Sequence, residues 1–524
     1  MSSDAALAPI DSPPGQLVPR RTVRRAGPAD RWPAPRAALV AAVPALLALA
    51  LGCWGITREH SMWRDEAATW QAARRSLPEI WHLVGQVDVV HGVYYALMHA
   101  AFALGGPNLV ALRLPSVLAV AAAAAVTAAT GRRLAGPWAG LAAGLVLALI
   151  PNIQHYAQEG RSYALVTACV AAATWFLVRG ADAARKSRGW WAGYAAAVLC
   201  AALLNWFSLL VLPAHAVTVL LARRRGLRGV LVRWCGAAGL AVAGALPLVL
   251  ASRSQAEQVS WIKPVAWTTL LGIAALVLAG LVCARVPCGP GKIRKTRPVP
   301  ALSLASVALP LLAVPQAGLL LASLARPLYL DRYVLFTNIG FALPAGLAVA
   351  TAVRALAVRG LPVRLRIPGG ALLAGVTALG FLALLPVETG LRSPQSRVDD
   401  VLRAAEVVAA RSISGDGVVF LPAARRDTEL VSPAAFAGLD DLALRQGPVA
   451  GGTLKGVEHP PARIRAEMLA HRRIVLVTDA APPASRPVPA REATKQRVLA
   501  RHFARIGSTE TRGRRVDVYV RKQP

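Results

Sequence analysis

Residues 179–229 read RGADAARKSRGWWAGYAAAVLCAALLNWFSLLVLPAHAVTVLLARRRGLRG. A basic cluster opens the stretch, apolar runs follow near 190–205 and 207–222, and a second basic cluster closes it. Clustered Arg and Lys mark the cytoplasmic ends of membrane spans. The stretch is therefore a helical hairpin that leaves the cytoplasmic side and returns to it.

The same alternation extends in both directions. The chain has 524 residues, of which 55% are hydrophobic and 16% charged, against about 25% charged in an ordinary soluble domain. This excludes a disordered chain, a fibrous protein and a single soluble domain, and leaves a multi-spanning membrane protein. The net charge is +32. Its basic residues fall mostly in short clusters between apolar runs, so they read as topology signals. The expected partner is the lipid bilayer, with no nucleic acid. The six cysteines read as packing residues, with Cys283 and Cys288 flanking one basic loop.

Further apolar runs lie near 37–57, 110–130, 135–151, 162–178, 230–251, 265–284, 300–325, 334–353 and 369–387. The sequence thus predicts an all-α polytopic protein with about eleven transmembrane helices and a small C-terminal α/β domain. Residues 1–36, with six arginines, are expected to form a flexible cytoplasmic tail. Residues 37–388 form the membrane domain and 389–524 an extracytoplasmic domain, in the plasma (inner) membrane. Basic clusters then fall on one side at every connection. The other side receives 58–109, 151–161, 252–264, 326–333 and the C-terminal part. That part reads as helix 398–412, strand 417–422, helix 462–473, strand 474–479, helix 491–503 and strand 514–520.

The outer connections carry the residues suited to chemistry. MWRDEAATWQAARR (62–75) places Asp65 and Glu66 side by side at a helix start. Acids there offset the helix dipole, or one serves as a general base. Helix neighbours point about 100° apart, so only one of them faces a given site. PNIQHYAQEGRSYAL (151–165) concentrates His155, Tyr156, Glu159, Arg161 and Tyr163 between two spans, and ARPLYLDRYVLF (325–336) brings Asp331, Arg332 and Tyr333. The local alternative pairs Arg161 with Glu159 and Arg332 with Asp331. A phosphate ligand would explain arginines at an outer boundary, because guanidinium offers planar donors to phosphate oxygens. His91, before Gly92 and Tyr94-Tyr95, is a further substrate-facing candidate.

Four pieces, in this order and on one side, resemble the GT-C superfamily of membrane glycosyltransferases. They are WRDEAATW (63–70), HGVYYALMHAAFALGG with LRLPS (91–106 and 112–116), YAQEGRSYAL (156–165) and DRYVLF (331–336). The nearest branch is that of the protein O-mannosyltransferases and the aminoarabinose transferases of lipid A. One departure is Gly92-Val93, where family members often carry a proline pair. The resemblance implies transfer of a sugar from a polyprenyl-phosphate donor to a glycan, lipid or protein acceptor on the outer face, with inversion. Mannose is the first expectation and arabinose or another pentose the next. Asp65 becomes the base, and Arg161 and Arg332 bind the donor phosphate beside Tyr163 and Tyr333. Glu66 or Glu159 orients the acceptor or holds a divalent cation. The alternative classes are a transporter or lipid flippase, and a non-catalytic envelope scaffold.

Overall fold

The computed structural model describes residues 35–183, 188–223, 228–255, 262–287, 301–358, 368–481 and 488–523. The expected N-terminal tail, Cys288 and most of the basic clusters lie outside these residues.

The membrane part runs α1 (Ala37–Cys53), α2 (Arg64–Ala73), α3 (Leu77–Gln86), α4 (Gly92–Gly105), α5 (Leu109–Ala135), α6 (Pro137–Leu149), α7 (Pro151–Ala157) and α8 (Tyr163–Asp182). It continues with α9 (Arg188–Leu204), α10 (Val211–Arg223), α11 (Arg228–Arg253), α12 (Trp267–Ala284), α13 (Leu304–Ala325), α14 (Thr337–Val358) and α15 (Gly369–Leu391). The chain forms a helix at each of the eleven expected positions. Seven are long and apolar enough to cross a membrane, and α6 with α7, bent by 64°, makes an eighth. The count of eleven is therefore not fixed. At 17, 17 and 13 residues, α1, α9 and α10 would have to cross about 30 Å at about 1.5 Å per residue.

Local chemistry sets the boundaries. Asn108 caps α5 by accepting from the Ala111 N–H at 2.8 Å. Gly136, at φ +100°, ends it, and Pro137 starts α6, the positions where those residues cost least. Ser76 and Glu79 form a capping box on α3. The central spans α5, α8, α13 and α14 are more than half buried over their apolar windows, whereas α12 and α15 bury only 6%. The latter two are the peripheral, lipid-facing helices.

Connections distant in sequence meet in space. Gln255 accepts from the Val89 N–H at 2.9 Å and donates to the Val84 carbonyl, joining the connection after α11 to the first long one. Tyr156 donates to Asp331 at 3.2 Å, joining the connections after α6 and α13. At the opposite end, Arg133 pairs with Asp182, which also accepts from the Ala301 N–H.

The C-terminal part is built from α16 (Val401–Arg411), β1 (Gly417–Leu421), α17 (Asp427–Val431), β2 (Asp440–Asp441), β3 (Leu444–Gln446), β4 (Val457–Glu458), α18 (Pro461–Ala470), β5 (Arg473–Asp479), α19 (Ala490–His502), β6 (Phe503–Thr511) and β7 (Arg514–Arg521). Its main sheet has the order β2-β1-β5-β7-β6. β1 runs parallel to β2 and β5, while β7 is antiparallel to β5 and β6. The sequence reading missed β6. FARIGSTET is an edge strand, mostly exposed along its length, so it lacks the apolar alternation that marks a half-buried strand.

Candidate active site

Helix α2 holds the two neighbouring acids and sends them in different directions. Glu66 points inward and is fully buried. It bonds Arg58, accepts from Arg113 Nε and Nη2 at 2.8 Å each, and accepts from the Gly160 N–H at 3.1 Å. Arg113 also donates to the carbonyls of Ile56 and Ser61. Burial alone would raise the Glu66 carboxyl, but Arg113 and Arg58 hold it well below the usual carboxylate range. Three successive non-glycine residues, Arg58, Glu59 and His60, take the left-handed conformation. Such backbone costs about 1–3 kcal/mol per residue and persists only where surroundings fix it. Here the fixing group is the Arg58–Glu66–Arg113 cluster. Both Glu66 oxygens are thus engaged, by Arg58, Arg113 and the Gly160 N–H.

Asp65 meets different partners and stays partly exposed. Its Oδ2 lies 3.8 Å from Arg161 Nη2 and 3.5 Å from Arg332 Nη1. The two arginines come from the connections after α7 and α13 and meet at Asp65. The Arg332 guanidinium lies over the Tyr163 ring at 5.5 Å and near the Tyr333 ring at 6.0 Å. Tyr333 stacks on Phe207 at 4.6 Å, and Phe207 on Trp206 at 4.2 Å. An aromatic wall therefore lines one side of the charged group.

Gly160 makes the approach between α2 and the second outer connection close. Its carbonyl accepts from Thr69 Oγ1 at 2.8 Å while its N–H serves Glu66. A Cβ there would come within 2.7 Å of the Leu112 side chain.

Glu159 lies behind this group. It is buried, with His155 Nε2 at 3.6 Å and Arg397 Nη2 at 3.5 Å. Burial pushes its carboxyl up to about 7; Arg397 opposes this, and Glu66 and Asp65 add to it. A carboxyl raised in the folded state and ordinary near 4.5 when unfolded costs stability as pH rises from about 4.5 to 7. Glu159→Gln removes that cost. We expect its melting temperature to exceed the wild type's at pH 8 and to approach it at pH 5. Identical pH dependence of melting in the two proteins would refute the raised carboxyl.

His91 closes a short 3-10 turn ahead of α4, with its ring 5.9 Å from that of Tyr95. Burial, reinforced by Arg161 and Arg332, lowers its pKa well below the usual value. Sequence reasoning passed over Asp88, which adopts φ +59° and accepts from Tyr95 Oη at 2.9 Å. It also passed over Arg113 and Arg397. Arg113 stands inside the quoted LRLPS at a span entrance, a signal that was available. Arg397 had none, because it is one arginine among many beyond the last span.

Among the described residues no three His, Cys, Asp or Glu side chains group closely enough to hold a metal ion. Glu66 is taken by two guanidiniums and Glu159 faces Arg397, so these residues do not fit a cation.

A family model described as dolichyl-phosphate-mannose-protein mannosyltransferase matches residues 92–251. No curated protein sequence matches the chain. The crystal structure of ArnT from Cupriavidus metallidurans in the apo state superposes with a TM-score of 0.58 at 14% identity, covering 91% of this chain and 97% of that one. The same protein bound to undecaprenyl phosphate gives 0.53 at 15% identity with the same coverage. The chain has the fold of the GT-C membrane glycosyltransferases and, over residues 92–251, resembles their mannosyltransferase branch.

Proposed function

We propose that this multi-pass membrane protein transfers a sugar from a polyprenyl-phosphate donor to an acceptor of the cell envelope. The observation that carries the reading is Asp65 at 3.5–3.8 Å from two arginines of different connections, beside an aromatic wall. Undecaprenyl phosphate bound to the similarly folded ArnT supports the donor class. Mannose is the first choice of sugar and arabinose or another pentose the second. The acceptor is a glycan, a glycolipid or a protein. The site faces the outer side of the plasma membrane, with residues 1–36 cytoplasmic and 389–524 extracytoplasmic.

The chemistry follows from charge. The donor phosphodiester carries about one negative charge and leaves as a phosphate with nearly two. It needs cations more than a general acid. Arg161 and Arg332 supply them, and buried Arg161 Nε and Nη1 make no hydrogen bond among the described residues. Asp65 accepts the proton of the acceptor hydroxyl. That oxygen bonds to the anomeric carbon as the carbon–oxygen bond to phosphate breaks, and the electron pair leaves on the phosphate. Attack opposite the leaving group inverts the anomeric centre, as in inverting glycoside chemistry.

Mass spectrometry of envelope glycans and lipids from a deletion strain tests the reading. A missing sugar with accumulated polyprenyl phosphate sugar is expected; an unchanged envelope overturns it. The two arginines give a finer test. Lys cannot present the planar donors of guanidinium. Hydrogen bonds to charged groups contribute about 1.5–3 kcal/mol, so Arg161→Lys and Arg332→Lys should each lower turnover by about 10- to 100-fold. The double variant should lose less than the sum of the two free energies, since both meet one phosphate. Normal turnover by both single variants would remove the shared phosphate site.

A further inference from the structure

We infer that residues 397–401 form a strap that positions Asp65, held in place by the hairpin between β6 and β7; this rests on the reading of Asp65 as the base. Trp63, the residue that caps α2, provides no side-chain hydrogen bond to it. The N-terminal N–H groups of a helix need partners, and the first of them in α2, on Arg64, finds its partner 335 positions away. Asp399 Oδ1 accepts from the Arg64 N–H at 3.1 Å, and Asp400 Oδ1 lies 3.4 Å from the Met62 N. The Val401 N–H donates to the Met62 carbonyl at 2.7 Å. The residues so fixed, Met62 and Arg64, lead into Asp65 from its N-terminal side.

The strap reaches the second outer connection too. Arg397 donates to the His155 carbonyl at 2.8 Å and lies 3.5 Å from Glu159. One short segment therefore spans the two connections that bring Asp65 and Arg161 together. The hairpin fixes the strap in turn. Arg512 donates to the Arg397 carbonyl at 2.8 Å, and its own carbonyl accepts from the Asp400 N–H at 2.9 Å. Arg514, fully buried, bonds Asp399 Oδ2 from Nε and Nη2 at 3.2 and 3.0 Å and bonds Asp427 as well. Asp399 has one oxygen on the helix and the other on the sheet. Asp399 and Arg514 are positioning residues that touch no reacting atom.

The test uses the full chain with Asp399→Ala, and Asp65→Asn as reference. Amide exchange over residues 62–69 should quicken about tenfold, the scale of a lost helix cap, while exchange in α5 and α14 stays unchanged. Envelope sugar restored in the deletion strain, per folded protein, should fall about 10²-fold, because a small misplacement of a reacting group costs that much. Binding of undecaprenyl phosphate to purified protein should be unchanged, since Arg161 and Arg332 remain. If Asp399→Ala does not accumulate, Asp399→Asn runs the same test with a smaller loss, since it keeps an oxygen for the Arg64 N–H. Wild-type exchange, or faster exchange with wild-type transfer, overturns the strap. Wild-type transfer by Asp65→Asn instead overturns the reading of Asp65 as base, whatever Asp399 does.

Discussion

Asp65→Asn is expected to lower turnover by about 10²–10⁴-fold, the contribution of a positioned general base, with melting temperature and membrane insertion unchanged. The carboxylate is partly exposed, and its two guanidinium neighbours stand at 3.5 and 3.8 Å. These are ion-pair distances, longer than the about 2.7–2.9 Å of a direct charge-assisted hydrogen bond. Asn keeps the size of the side chain and an oxygen facing the arginines. What it loses is the capacity to take a proton. Turnover by purified protein in lipid vesicles, beside thermal unfolding of the same preparation, checks the result. Near-normal transfer would shift the base to another group or remove the enzyme reading.

Glu66→Gln should give the opposite pattern. Glu66 sits between Arg58 and Arg113, all three with side chains fully buried. Removing one member of a buried charge cluster leaves the others uncompensated and costs about 3–5 kcal/mol. The three left-handed residues 58–60 lose their anchor at the same time. The expected outcome is a strongly lowered melting temperature and reduced accumulation, with near-normal turnover in the fraction that stays folded. A variant that melts like the wild type but is inactive would make Glu66 a reacting group. Adjacent acids thus yield separable phenotypes, one kinetic and one structural.

The candidate site was partly legible from residue types. Asp65, Arg161 and Arg332 stood out because charges at an outer membrane boundary need a reason. Their shared geometry was not legible: Arg332 meets Asp65 across 267 positions, and no local pattern encodes that. The roles of the two adjacent acids were equally hidden. The 100° step of a helix says that they diverge, but not which of them turns inward. Asp399 was harder still. An acid after the last apolar run reads as a solvated residue until the helix it caps is seen.

The sequence by itself determined the apolar segments and the helix–strand alternation of the C-terminal part. These follow from hydrophobic runs and periodicity, which act over tens of residues. Tertiary structure alone decided that Arg113 and Arg58 claim Glu66. It also decided that Asp65 is left to Arg161 and Arg332, and that Asp399 and Arg514 hold the start of α2. Each of these is a pairing of buried charges or unsatisfied backbone donors. Such groups must find partners wherever the fold brings them, and distance along the chain carries no record of that choice.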